Sequence, residues 1–389
     1  MELMQASRQY AMRPDDERYK NLETMYKDAQ AQRLASQSIR LPADVGARVG
    51  YDSMEEEMVL EVGGTPQEAD MSFGLTNWSF GQVCSRVKAP ADYLIGLDDP
   101  ELVAECLNRG LSKRRKSDME RKTKGIQLFH GDGMLRAFTS GVYSRIYDAD
   151  IIQRLIPLKA EGWRTPPAWG SANDPTSWQA TEEDCGNYTL VNPGDWIKPS
   201  GLYRGDRDMF CFLVNDESRI DDGTDQGLGR GFFVRNSEVG AASFSFMDFL
   251  YRYICGNHIV WGAQDVREVK LRHVGADTPE KVFTALQAEL IEYANMSAGE
   301  DELMIKNAKK FVLGADKDEV LDFLFGKNLM SRKLAGQSYD TCERFEAELN
   351  PRSAWGIIQG MTRMSQEAGF ADKRNQIDSI TPKIMAYCE

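Results

Sequence analysis

MFCFLV, residues 209–214, is apolar at every position. A strand with one wet face alternates polar and apolar residues. An unbroken apolar run this short is instead the pattern of a strand covered on both faces. Two further strands follow, GFFVRNSE at 231–238 and GAASFSFMDF at 240–249, after the turn residues Asp221-Asp222-Gly223. Upstream, GIQLFH (125–130) and MLRAFTS (134–140) flank Gly131-Asp132-Gly133, which is tight-hairpin chemistry. No regular alternation of strand and helix points to a parallel sheet, so the sheet these strands form is mostly antiparallel.

Helical signals lie on either side. Residues 14–34 begin Pro-Asp-Asp and carry Tyr19, Leu22, Tyr26 and Ala29 at helical spacing. LTNWSFGQVCSRV places Phe80, Val83, Cys84 and Val87 on one face, with Thr76 or Asn77 as cap. Asp99-Pro100 opens another helix through Val103, Cys106 and Leu107. Asp148 caps a short helix that Pro157 ends, and Thr278-Pro279 begins a strongly amphipathic one. Residues 52–70 hold seven acids and no base, a solvated loop or ragged strand. The fold class is therefore α+β: a central, mostly antiparallel sheet with a helical N-terminal part and a helical C-terminal region. The expected division is an N-terminal helix and acidic extension over 1–70, an α+β core over 71–276, and a helical region over 277–389.

The chain has 389 residues and a formal net charge of −13, which excludes a uniformly basic nucleic-acid coat but not a local basic site. Seven cysteines without a C-x-x-C pair read as reduced, mostly buried thiols. The first residues lack an apolar signal core, and no uncharged apolar run reaches membrane-spanning length. The expectation is a cytosolic protein with no membrane partner.

Catalytic signatures are missing from the sequence: no G-x-x-x-x-G-K-[ST], no G-x-S-x-G and no H-E-x-x-H. GLGRG at 227–231 enters a strand, whereas phosphate cradling needs a helix N-terminus behind the glycines. Cys255, His258 and His273 could ligate a transition metal, but their spacing is not an established one, and structural histidines are the simpler reading. Asp206, Asp208, Asp221, Asp222 and Asp225 offer carboxylates for magnesium, with turn acids as the bland alternative. No catalytic residue, cofactor or metal ligand is assigned.

The largest local reversal of charge is KRRKSDMERKTK, residues 113–124, with seven bases against two acids. Lys113, Arg114, Arg115, Lys116, Arg121 and Lys122 are candidates to neutralise phosphates. A solvated loop offsetting an acidic body weighs about equally. Arg136, Tyr143 and Arg145 add cations and an aromatic near the hairpin, a set on which unstacked bases could lie. Four of the seven tryptophans (163, 169, 178, 196) fall in the Pro- and Gly-rich stretch 162–200, either exposed for stacking or pinning a loop.

Several segments together resemble a known family. They are LTNWSFGQVCSRVKAPADYL, RAFTSGVYSRIYDADII, GLYRGDRDMFCFLVND, RGFFVRNSEVGAASF, CGNHIVWG with RHVG, and the late SAWGIIQGMTRMSQ. In order and spacing over roughly 75–370 they are similar to a phage/plasmid-like family known as domain of unknown function 932. The matching positions are Phe80, Gln82 and Cys84; Arg136, Ala137, Phe138, Ser140, Tyr143 and Asp148; Asn236, Ser237 and Gly240; and Cys255 and Asn257. Gly141-Val142 departs from the Asp-Arg the family often carries there, which removes a charge from the hairpin. The resemblance implies a setting among phages and plasmids, often beside DNA-handling genes. The functional expectation is a non-enzymatic, homo-oligomeric protein that binds single-stranded DNA and promotes annealing or recombination. Its rivals are a metal-dependent nucleic-acid enzyme and an acidic factor that neutralises a host protein.

Overall fold

A computed structural model describes residues 17–63, 71–221, 227–252, 257–259, 268–275, 278–295, 298–346, 348–367 and 380–388. Helix α1 (Leu22–Ala35) is capped by Asn21, whose side chain accepts from Thr24 N, and leads directly into β1 (Ser36–Leu41). Strands β2 (Ala47–Asp52), β3 (Glu57–Val62) and β4 (Met71–Leu75) follow. After them come helices α2 (Asn77–Val87), α3 (Ala91–Ile95) and α4 (Pro100–Glu120), then β5 (Ile126–Gly131) and β6 (Met134–Ser140).

These strands make one six-stranded sheet in the order β1-β5-β6-β4-β3-β2. All its pairs are antiparallel except β4 with β6, which run parallel across the α2–α4 crossover. Residue 70 ends the expected N-terminal extension. It falls between β3 and β4, which pair through Val59↔Gly74 to Val62↔Met71. The acidic stretch contains β3, because Met58, Leu60 and Val62 alternate onto the core despite the surrounding glutamates. The β5–β6 turn is Asp132-Gly133 with φ of 52° and 77°, the doubly left-handed conformation that a two-residue hairpin requires.

Helices α2 and α4 cover one face of this sheet. Phe80, Val83 and Cys84 from α2 and Val103, Ala104, Leu107 and Leu111 from α4 pack on Leu60, Phe73, Leu128 and Leu135. Asp99 caps α4 by accepting from Leu102 N at 2.9 Å, with Pro100 inside the first turn. The helix does not stop where its apolar face ends. It runs on through Lys113–Lys116 to Glu120, so residues 113–120 of the basic segment are helix and only 121–124 lie in the turn that follows.

Helix α5 (Asp148–Leu155) and a 3-10 turn (Ile156–Glu161) connect to the second sheet. Asp148 is the first helical residue and not the cap. Its N–H donates to Glu238 Oε1 at 2.9 Å, and Pro157 opens the 3-10 turn, so the chain keeps turning beyond it. The second sheet is β11 (Leu202–Arg204), β12 (Met209–Ile220), β13 (Leu228–Asn236), β14 (Phe244–Arg252) and β15 (Asn257–Ile259) in that order. β16 (Glu268–Leu271) adds to β14 and β7 (Trp163–Arg164) to β12. Every pair is antiparallel. Met209 to Val214 are all buried, as a doubly covered strand demands. Met209, Cys211 and Leu213 face α1, α5 and the helix α7 (Thr278–Asn295).

The C-terminal helices are α8 (Ala298–Lys310), α9 (Lys317–Gly326), α10 (Arg332–Phe345), α11 (Ala354–Glu367) and α12 (Thr381–Met385). They share one core with Ile220, Leu228 and Leu250 of the second sheet, centred on buried Trp355. The helical region after 277 therefore packs on the sheet. The tryptophan-rich stretch folds as β8 (Ala168–Trp169), β9 (Trp178–Gln179), the turn α6 (Glu182–Cys185) and β10 (Trp196–Lys198) around Tyr188 and Ile197. Trp163 is buried against Phe232, whereas Trp169 is 58% exposed. No described helix is long and apolar enough to cross a membrane.

Candidate nucleic-acid interface

The structure divides the candidate residues into two places. Lys113, Arg115, Lys116, Arg121 and Lys122 lie on or just after the last two turns of α4, and all five are exposed. None of them pairs with a carboxylate among the described residues. Arg114 points inward by comparison. Its Nε lies 3.4 Å from Asp118 Oδ1, and Arg86 of α2 makes an ion pair with the other oxygen. Asp118 takes the inward position one further step along the Val103, Leu107, Leu111 face and is only 5% exposed. A buried carboxylate there needs cations, and the two arginines supply them. This is why the helix persists after its apolar stripe runs out.

Along α4 runs an open trough of about 810 Å3, walled by Tyr51 at the end of β2. Asn108, Arg109, Ser112, Lys113 and Lys116 line it from the helix, with Glu101 and Glu105 at its other end. Asn108 joins helix to strand. Its side chain accepts from Val49 N at 2.7 Å and donates to Val49 O at 2.8 Å. Three cations, neutral hydrogen-bonding groups and one half-buried aromatic ring thus share a concave surface. Reading the sequence alone missed Tyr51 and Arg109. The hidden signal was the spacing of Arg109, Lys113 and Lys116, which places them on one face of a continuous helix.

Arg136, Tyr143 and Arg145 lie elsewhere, in a polar seam between the two sheets. Arg136 donates to Ser36 Oγ at 3.1 Å and Gln32 Oε1 at 2.9 Å and faces Glu238 at 3.5 Å. The Arg145 guanidinium stacks 3.7 Å from the Phe129 ring centroid and donates to the Glu238 carbonyl. Burial lowers it to about 10. Tyr143 donates to the Ser237 carbonyl at 3.0 Å and stacks on His273 at 5.1 Å. Arg145 is only 7% exposed, and Arg136 and Tyr143 are half-buried, so the Arg145 guanidinium itself is not presented to solvent.

Asp148 is the centre of the seam. It accepts from Arg204 Nε at 3.2 Å and Asn236 Nδ2 at 2.7 Å. Burial, and then the Glu238 charge, push its carboxyl up to about 7, with Arg204 and Asn236 pulling the other way. Arg204 also reaches Asp28 of α1 at 2.8 Å, and Arg235 meets Asp208 at 3.0 Å. These ion pairs tie α1, α5 and the ends of β11 and β13 together.

His273 is a core histidine. Its Nδ1 lies 3.2 Å from the Ser144 carbonyl, and burial lowers its pKa to about 4. Cys255, Asp222 and Asp225 lie outside the described residues, as does the side chain of His258. Among the described residues no group of three or more His, Cys, Asp or Glu side chains is arranged to hold a metal. Cys84, Cys211, Cys342 and Cys388 are buried free thiols, and Cys106 is exposed. GLGRG leads into β13, and its Arg230 is a buried partner of Asp301. Comparison with known proteins returned no match to a family model, a curated protein or a solved structure.

Proposed function

We propose that this chain binds single-stranded DNA along the α4 trough, without catalysing a reaction, and that it serves phage or plasmid DNA metabolism by annealing strands. The observation that carries the reading is the pair Lys113 and Lys116 on α4 beside Tyr51, neither of which meets a carboxylate among the described residues, in a chain whose net charge is −13. Lys113 and Lys116 would neutralise successive phosphates, and Arg109 would leave Glu105 to take a third. Tyr51 would stack on a base, which favours single strands because a duplex hides its base faces. The phage or plasmid setting rests on the sequence resemblance described above. Annealing further requires that more than one copy of the chain assemble on the strand.

The test is fluorescence anisotropy with labelled single-stranded and duplex oligonucleotides. Three phosphate contacts give a log–log salt slope of about −2 on single strands, hence roughly twentyfold weaker binding from 50 to 200 mM salt. Micromolar or tighter single-strand binding with that slope supports the reading. No binding at low salt, or binding indifferent to salt, contradicts it. Light scattering of the free and strand-bound protein reads the assembly state.

A further inference from the structure

A second, smaller cavity opens on the other flank of α4. It measures about 170 Å3 and is formed by the turn Pro42–Ala47, the start of β5 at Gly125 and Ile126, Phe138 from β6, and α4 itself. Four guanidinium groups line it, those of Arg48, Arg86, Arg114 and Arg115, against the single carboxylate of Asp118. Asp118 pairs with Arg86 and Arg114, and Glu61 with Arg48, so four guanidinium groups meet two carboxylates and the cleft keeps a positive surplus that suits an anion.

The local geometry shows donors that the protein itself does not use. Arg86 and Arg114 converge on Asp118, which fixes their planes. The Nε of Arg114 faces Asp118 Oδ1 at 3.4 Å without reaching hydrogen-bond geometry. Arg48 is held by Glu61 at 2.7 Å on the neighbouring strand. Among the described residues Arg115 faces no carboxylate, and its Nη1 lies 2.9 Å from the point a Cβ on Gly46 would occupy. A glycine at 46 therefore leaves the space into which the Arg115 guanidinium folds, towards the cleft.

We infer that this cleft is a seat for one phosphate group, read by Arg114 and Arg115 and completed by Arg48 and Arg86. Guanidinium forks match phosphate oxygens in pairs, which makes arginine the side chain suited to this ligand. The volume lies below the roughly 300 Å3 at which pockets begin to accept drug-sized ligands, so it suits a single group and not a whole nucleotide. Asn108 and Ser112 line both this cleft and the trough, so the two are contiguous. On the proposed reading of the trough, the phosphate is the terminal one of a bound strand. The same chemistry would take free phosphate or a small phosphate ester.

The test uses the full chain. Its thermal midpoint is measured in sodium phosphate and in sodium chloride of equal ionic strength. Anisotropy compares 5′-phosphorylated and 5′-hydroxyl oligonucleotides of one sequence. Arg115→Gln and Gly46→Ala are the variants. The first residue is exposed and unpaired, and the second change collides only with the movable end of Arg115, so both should fold. The expected result is a phosphate-specific rise in the midpoint that both variants lose. With it goes a preference of about tenfold for the 5′-phosphorylated strand, reduced to near unity in the variants. A midpoint rise without strand preference still establishes the seat and assigns it to free phosphate or a small ester. No rise beyond chloride, or a rise that both variants retain, overturns the inference. Salt-dependent strand binding would survive that outcome, so failure of the seat and failure of the trough are distinguishable.

Discussion

Arg230→Met should be among the most damaging single changes in this chain. Arg230 is 1% exposed on β13. Its guanidinium donates to Asp301 Oδ2 of α8 at 2.7 Å and to the Tyr293 carbonyl of α7 at 3.1 Å. Methionine keeps the apolar stem but removes the cation facing a carboxylate that is itself 9% exposed. Removing one member of a buried ion pair costs about 3–5 kcal/mol, and the orphaned carbonyl adds about 1 kcal/mol. We expect a loss of about 5 kcal/mol. Arg230→Met with Asp301→Leu removes both charges and should recover at least half of that, because a buried pair replaced by apolar side chains is often near neutral. The assay is urea unfolding followed by tryptophan fluorescence, since Trp163 and Trp355 both sit in the cores that flank this pair. A single-variant loss below about 1 kcal/mol would refute the reasoning. So would a double variant that loses as much as the single one.

Three other outcomes are expected. The Asp148 carboxyl titrates near 7 in the fold against about 3.9 unfolded, so the folded state holds the extra proton between those values. Stability should then fall as pH rises from about 4 to about 7, and Asp148→Asn should flatten that slope in urea midpoints taken at pH 5, 6 and 8; an unchanged slope rules the assignment out. Lys113→Glu with Lys116→Glu changes exposed side chains, so stability should stay within about 0.5 kcal/mol while the salt slope on single strands flattens by about 1.4. Equal slopes for variant and wild type would remove these lysines from the interface. Gly125→Ala should cost about 3 kcal/mol, because φ is +72° and the new Cβ would lie 2.1 Å from the Leu41 carbonyl oxygen. A thermal midpoint close to wild type would show that the β1–β5 junction can shift.

The parts of the fold legible in the sequence were those set by local pattern. MFCFLV announced a strand buried on both faces, Asp-Gly a hairpin turn, and Asp99-Pro100 a helix start. The continuation of α4 was hidden because Asp118 takes an inward position where periodicity looks for an apolar residue. Only the arginines from α2 and from the same helix make that burial tolerable. The inward placement of Arg136 and Arg145 was equally hidden. Each is fixed by Glu238, about a hundred residues away in sequence, and no local signal says which face of a strand will meet such a partner. Over 52–70 the sequence left loop and strand open, because the glutamates of β3 masked its alternating apolar face. The trough needed the register of β2 against α4 before Tyr51 could be placed beside Lys113 and Lys116.

The most direct test of the central claim is to map where a single strand touches the chain. A photoreactive single-stranded oligonucleotide is cross-linked to the wild-type protein, and the attached peptides are identified by mass spectrometry. The account expects cross-links at Tyr51 and within residues 105–124, and their loss at high salt. Cross-links confined to other surfaces, or none under conditions where the strand is bound, would contradict it.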